Sequence, residues 1–188
     1  MSESLDDARV GLAEQLRRDA LTREKVRLAS GKMADFYFDA RQVLLDPQGA
    51  ERSGRLAYEA LRASAPAAVG GLTLGADPLV CSTSAAAWRS GERWTGFFIR
   101  KEAKKHGLQQ WLEGPFIEEG TPVALVDDVL TSGGSMITSI ERARQAGGVV
   151  VAALVVVDRD EGGREAVEAL LEGAPLHAIY SAGELLDG

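Results

Sequence analysis

Two adjacent carboxylates, Asp127 and Asp128, end an apolar run and lead into a turn of small hydroxyl residues and glycine, "LVDDVLTSGGSMI" over 125–137. Gly133 and Gly134 allow a backbone whose consecutive amides point inward. Thr131, Ser132 and Ser135 add hydroxyl donors, and a helix starting there presents its positive end. Such a turn suits a phosphate monoester. The triphosphate pattern G-x-x-x-x-G-K-[ST] and the dinucleotide pattern G-x-G-x-x-G are both absent. Repulsion discourages two carboxylates from facing that phosphate directly, whereas a sugar diol offers them hydroxyl donors, so pair and turn together fit a ribose 5-phosphate. The local alternative is a strand-to-helix turn with an acidic start and glycines for tightness. A second concentration of chemistry is cationic: "RKEAKKHGLQQWLEG", 100–114, holds Arg100, Lys101, Lys104, Lys105 and His106. In a chain of formal charge −7, this long segment with few strand signals reads as a lid that meets a pyrophosphate leaving group, against the plainer reading of a solvated charge run.

Those groups need a scaffold. Residues 122–157 read as one strand-helix-strand unit, with "TSGGS" as its first turn at the strand's carboxyl end, the usual ligand edge of a parallel sheet. Strands are expected in "AAVGGLTL", "WTGFFIR" ending on Arg100, "PVALVDDV", "VVVAALVVVD" and "PLHAIYS". Helices are expected in "DPLVCSTSAAAWRS", opened by Asp77 and Pro78, in "SMITSIERARQAGG" and in "GREAVEALLEG". Upstream, Asp46 and Pro47 open a helix that carries Leu56, Ala60 and Leu61 on one face and ends before Pro66. The N-terminal stretch, with Ala8, Leu12 and Leu16 near helical spacing, predicts one or two helices ending at Gly31, and "FYFDARQV" a short strand. Apolar runs without alternation, separated by amphipathic helices, indicate strands covered on both faces, hence an α/β fold. A length of 188 residues fits a single domain, with about 1–45 as a small lobe outside the sheet.

Composition narrows the function classes. The net charge of −7 argues against nucleic acid or an anionic membrane as the main partner. One cysteine, Cys81, excludes an internal disulfide framework and a cysteine-cluster metal site, and two histidines, His106 and His177, argue against zinc. The start "MSESLDDARVGLAEQ" has early acids and no long apolar stretch, so neither a signal peptide nor a membrane anchor is expected, and the protein reads as cytoplasmic. Cys81 is expected as a small buried residue, His177 as a core or edge histidine, and Trp88, Trp94 and Trp111 as packing.

"ALVDDVLTSGGS" resembles the phosphoribosyl-diphosphate signature of the type I phosphoribosyltransferases, hydrophobic residues followed by D-D-x-x-T-x-G-G-S. The segment from Arg100 is similar to the mobile catalytic loop of the orotate phosphoribosyltransferases, R-K-x-x-K-x-H-G, and "VDRDEGGRE" to their V-D-R-x-x-G-G-R-E. "LASGKMADFYFDAR" looks like their N-terminal hood, L-x-S-G followed by an aromatic pair. The resemblance runs in collinear order from about residue 28 to 165. It implies a central parallel sheet flanked by helices, and transfer of ribose 5-phosphate from phosphoribosyl diphosphate to orotate in de novo pyrimidine synthesis. Magnesium (Mg2+) would be held mainly through the diphosphate, with no direct protein metal site. It also implies a homodimer whose 100–114 loop closes over the neighbour's substrates.

By resemblance, Lys104, His106, Asp127 and Asp128 carry the catalysis. The diphosphate-sugar contacts extend to Arg100, Lys101, Gly75, Val129, Leu130, Thr131, Ser132, Gly133, Gly134 and Ser135. Orotate falls to Thr131, Arg159, Tyr37 and Phe38. The chain departs from the common pattern at Ala29 and Gly75, where many members have lysine, with Lys32 close to the first. A transferase for another base keeps the phosphate turn but loses Arg159 and the lid pattern. A non-catalytic regulator would bring a nucleic-acid-binding module or basic face, and the acidic chain shows neither.

Overall fold

A stripe of apolar residues at helical spacing organises the amino-terminal part of the chain. The computed structural model describes residues 3–22, 26–27, 33–34, 36–103, 111–115 and 117–187. Helix α1 (Leu5–Gln15) is capped by Ser4, whose hydroxyl accepts from the Asp7 amide at 3.0 Å, and Ala8, Leu12 and Leu16 are fully buried. The helix widens into a π-helical turn that ends at Ala20. Extended pairing then wins over helix propensity. β1 (Leu21–Thr22) pairs antiparallel with β4 (Tyr37–Phe38), and β2 (Val26–Arg27) pairs with β3 (Met33–Ala34). The expected helix therefore stops well before Gly31, which lies outside the described residues. The strand expected over "FYFDARQV" is confined to Tyr37–Phe38. Asp39 then accepts from Arg41 Nε at 2.8 Å and Gln42 Nε2 at 3.3 Å, favouring a helical turn, α2 (Arg41–Leu44), that buries Val43 and Leu44.

Asp46 caps α3 (Pro47–Leu61) with one oxygen, accepting from the Gln48 and Gly49 amides at 3.0 and 3.1 Å. Its buried face is Gly49, Ser53, Gly54, Ala57, Tyr58 and Leu61, whereas Leu56 and Ala60 sit half-buried at the margin. The chain continues through β5 (Ala68–Leu72), α4 (Asp77–Arg89), β6 (Thr95–Ile99), β7 (Leu112–Glu113), β8 (Pro122–Leu130), α5 (Gly134–Gln145), β9 (Val149–Asp158), α6 (Gly163–Leu171), β10 (Leu176–Ser181) and α7 (Ala182–Leu186). Six strands form one sheet in the order β10-β9-β8-β5-β6-β7, parallel except for β7, which runs antiparallel to β6.

Alternate residues of β8 feed two cores. Ala124 and Val126 join Leu12, Leu61, Leu79 and Leu185 under α1, α3, α4 and α7, while Val123 and Leu125 join Met136, Ile140, Val167 and Leu171 under α5 and α6. Helix α1 thus belongs to the main core, so the part of the N-terminal 45 residues that stands apart from it is narrower than expected.

Helix α4 opens at Asp77 and Pro78, as the sequence indicates, with Ala76 at the N-cap position and no side-chain cap. Three details differ from the sequence reading. Cys81 is exposed, and Trp88 is 70% exposed, because both lie on the outer face of α4; Trp94 alone of the three tryptophans is fully buried. The expected lid, 100–114, contains β7, so its excursion from the sheet is shorter. Finally, α7 was not read from the sequence, although Ser181 and Glu184 form a capping box there.

Candidate active site

The strand order reverses between β5 and β8, and ligands of open parallel sheets settle at the carboxyl ends of strands at such a point. Here β8 delivers Asp127 and Asp128, and β5 delivers the loop with Gly75. Asp127 is 6% exposed and its Oδ1 accepts from the Asp128 amide at 3.0 Å; Asp128 Oδ1 accepts from the Val129 amide at 2.8 Å. Burial first, and the charge of Asp128 second, push the Asp127 carboxyl well above the usual carboxylate range, with Lys101 acting weakly in the other direction. A Cβ at position 75 would lie 2.7 Å from Asp128 Oδ1, so the glycine is what lets that carboxylate rest against the β5-α4 loop.

Gly133, at φ 84°, turns the chain into α5, and no side chain caps that helix. Its free amides face a cavity of about 170 Å3 lined by Asp127, Val129, Leu130 and the whole run Thr131–Met136. An anion there would cap the helix.

Beside it lies a second cavity of about 210 Å3, whose walls are Tyr37, Phe38, Asp39, Arg41, Gly75, Asp128, Val129, Thr131 and Arg159. Thr131 and Val129 serve both cavities. The Arg159 side chain is only 4% exposed; it pairs with Glu161 Oε1 at 2.6 Å and its guanidinium lies 4.8 Å from the Phe36 ring centroid. Its Nε is buried without a hydrogen-bond partner among the described residues. A buried cationic donor beside aromatic rings calls for a planar anionic acceptor. Phe38 is 4% exposed and belongs chiefly to the core, meeting Phe36 edge-on at 5.8 Å, while Tyr37 is half-buried. The sequence reading named Tyr37 and Phe38 but missed Phe36, Asp39 and Arg41. Phe36 precedes the chosen pair directly, yet only the fold of the neighbouring strands turns it onto Arg159.

Gly163 was also missed as a site residue. A Cβ there would collide with the Thr131 carbonyl oxygen and come within 2.7 Å of the Gly133 amide nitrogen, so the turn after β9 packs backbone to backbone on the phosphate turn. Asp158, 2% exposed, braces that second turn, accepting from the Asp160 amide at 3.0 Å and pairing with Arg164 Nε at 2.8 Å. At the root of the lid, Arg100 pairs with Glu113 at 2.7 Å and its amide donates to the Trp111 carbonyl at 2.8 Å. Trp111 in turn lies under Arg142 of α5, 3.3 Å from the guanidinium carbon to the ring centroid. Lys101 is exposed. Lys104, Lys105 and His106 lie outside the described residues, as do Ala29 and Lys32. Among the described residues, no group of three acidic, histidine or cysteine side chains stands ready to hold a metal unaided.

No model of a protein family matches the chain. The orotate phosphoribosyltransferase of Rhodopseudomonas palustris strain BisB18 is 41% identical over 189 aligned residues, which cover 99% of each chain. The chain belongs to the orotate phosphoribosyltransferase family. Among solved structures, the orotate phosphoribosyltransferase of Mycobacterium tuberculosis H37Rv is similar at a TM-score of 0.84 and 37% identity, covering 95% of this chain and 98% of that one. The same enzyme in complex with 5-phospho-alpha-D-ribosyl 1-diphosphate is similar at 0.79 and 34%, with the same coverage. The six-stranded sheet with helices on both faces is thus that of a type I phosphoribosyltransferase.

Proposed function

We propose that the chain transfers ribose 5-phosphate from phosphoribosyl diphosphate to orotate, forming orotidine 5-phosphate and releasing pyrophosphate. The observation that carries this reading is Arg159, a buried guanidinium with one unanswered donor, in a cavity that shares Thr131 with the phosphate turn. The carboxylate of orotate supplies the missing acceptor, which uracil and adenine lack. Its ring lies against Phe36 and Tyr37, with Phe38 behind.

The 5-phosphate caps α5 through the Thr131–Ser135 turn, and Asp127 and Asp128 accept from the ribose hydroxyls. As the bond from the anomeric carbon to the diphosphate breaks and the bond to the ring nitrogen of orotate forms, positive charge grows on the ribose. The paired carboxylates favour that charge. Arg100 and Lys101, with Lys104 and His106 from the resemblance, neutralise the departing pyrophosphate, and the 100–114 segment excludes water from the donor. Two adjacent carboxylates, one with its charge disfavoured by burial, fit a divalent cation held mainly by the substrate's own oxygens. Magnesium bound in that way supplies neutralisation of the diphosphate.

The same reading takes residues 1–188 as one domain with an N-terminal hood, working as a homodimer with the lid shared between subunits, in the cytoplasm. No helix among the described residues is long and apolar enough to cross a membrane. The test offers magnesium and phosphoribosyl diphosphate with orotate, uracil or adenine in separate reactions, following base consumption and pyrophosphate release. Orotate alone is expected to react, with one pyrophosphate per nucleotide. Reaction with adenine alone would overturn the base assignment, and donor binding without turnover of any base would point to a regulator.

A further inference from the structure

The 100–114 segment leaves the sheet and returns to it at one point. Arg100, directly after β6, donates its amide to the Trp111 carbonyl at 2.8 Å, and its guanidinium pairs with Glu113 at 2.7 Å. Beyond these ties β7 contributes two residue pairs, Leu112 with Ile99 and Glu113 with Phe98. So short an edge strand holds weakly by itself. A further contact must fix the point from which the cations depart.

Trp111 makes that contact. Its half-buried indole packs on the core cluster under α5, and the guanidinium carbon of Arg142 lies 3.3 Å from the ring centroid. The last turn of α5 carries two arginines, and they reach different neighbours. Arg144 ties α5 to the end of α6, donating to the Leu170 carbonyl at 2.7 Å and pairing with Glu172 at 3.3 Å. Arg142 donates to Gln145 Oε1 at 3.0 Å, while its Nε is buried with no hydrogen-bond partner among the described residues. A guanidinium that leaves a donor unanswered in order to lie over an indole is held there by the electron-rich ring.

Helix α5 thus has a grip at each end. Its first turn, through Met136, walls the phosphate cavity, and its last turn holds the root of the cationic segment. Lys101, one residue beyond the tie at Arg100, stands near enough for its charge to act on the Asp127 carboxyl.

We infer that Arg142 and Trp111 are positioning residues for the pyrophosphate end of the reaction, fixing where Arg100 and Lys101 stand relative to the turn from which α5 starts. The inference rests on the transfer reaction proposed above. It adds two residues that line neither the phosphate cavity nor the base cavity.

The test treats the two ends of the donor separately. Pyrophosphate probes the cations, and ribose 5-phosphate probes the turn. In Arg142→Ala and in Trp111→Ala, turnover and the calorimetric affinity for pyrophosphate are each expected to fall about threefold to thirtyfold, the range of a cation-π contact. Affinity for ribose 5-phosphate is expected to stay as in the parent. The double variant should lose no more than either single one, because both act through one contact. Trp111→Phe, which keeps a ring, should recover most of the loss. Arg144→Ala, which loosens α5 from α6, should lower the melting temperature and leave pyrophosphate affinity unchanged. Should Arg142→Ala not fold, Arg142→Gln keeps the stem, removes the charge and supplies the same comparison. Unchanged pyrophosphate affinity in both alanine variants overturns the inference. So does an equal loss of ribose 5-phosphate affinity, or the same pyrophosphate loss in Arg144→Ala, since either would make Arg142 a support of the whole helix. A parent that binds pyrophosphate without consuming orotate overturns the proposed reaction and leaves the pyrophosphate comparison to decide the role of Arg142.

Discussion

Asp127 sits where its own charge is disfavoured, beside the turn proposed to hold the ribose phosphate. Because its folded pKa is raised above that of the unfolded chain, the protonated side chain supports the free protein at low pH, and that support is lost as pH rises through the folded value. Asp127→Asn keeps an acceptor for the Asp128 amide without the charge. Thermal unfolding of the free variant is expected about 2–4 °C above the parent at neutral pH, an effect of about 1 kcal/mol. The gain should shrink as the pH is lowered, while turnover falls steeply. A melting temperature that drops at every pH would refute the account of Asp127. Arg159→Ala removes a charge-assisted contact worth about 1.5–3 kcal/mol, so KM for orotate should rise roughly tenfold to a hundredfold. KM for phosphoribosyl diphosphate should change little, and equal changes in both constants would deny Arg159 its specificity. Arg159 and Thr131 were legible because a motif surrounds them. Phe36 was not, since which of three neighbouring aromatics meets the guanidinium depends on the pairing of β1 with β4.

Two loops leave the adjacent ends of β8 and β9 and touch through glycine backbones. Gly163→Ala forces its methyl group into the Thr131 carbonyl, and neither partner is a flexible side chain. The variant is expected to be less stable by about 1–3 kcal/mol. Its affinity for ribose 5-phosphate, measured calorimetrically, should fall because the phosphate turn must shift. Unaltered binding would show that the turns are independent. The long strands β8 and β9 could be read from sequence because burial on both faces leaves apolar runs that no other element explains. The two-residue strands β1 to β3 and β7 could not, and β4 was read only as part of a longer strand: so few residues carry no periodicity, and their partners decide their state. Cys81 and Trp88 were misplaced because composition records residue type and not which face of α4 looks outward.

Across the whole molecule, a net charge of −7 coexists with two arginines, Arg41 and Arg159, set in the wall of one cavity at the carboxyl end of the sheet. The same end unites pieces from three parts of the chain: the aromatics at 36–38, the loop after β5, and the turns after β8 and β9. Sequence order alone gave the α/β class, and the reversal of strand order between β5 and β8 explains why the pieces converge. Thr131 is a wall of both cavities, and its carbonyl is held against Gly163, four residues beyond Arg159. The two proposed ligands would therefore bias one shared turn, and thermodynamic linkage requires that each alter the other's affinity by the same factor. Titrating orotate with and without saturating ribose 5-phosphate, and the reverse, should give two equal ratios of about fivefold or more. Ratios of one would mean that the turn does not communicate. With coupling of that size, the half-filled enzyme becomes the scarce species: at limiting orotate, the supply of donor would set how much base the protein retains.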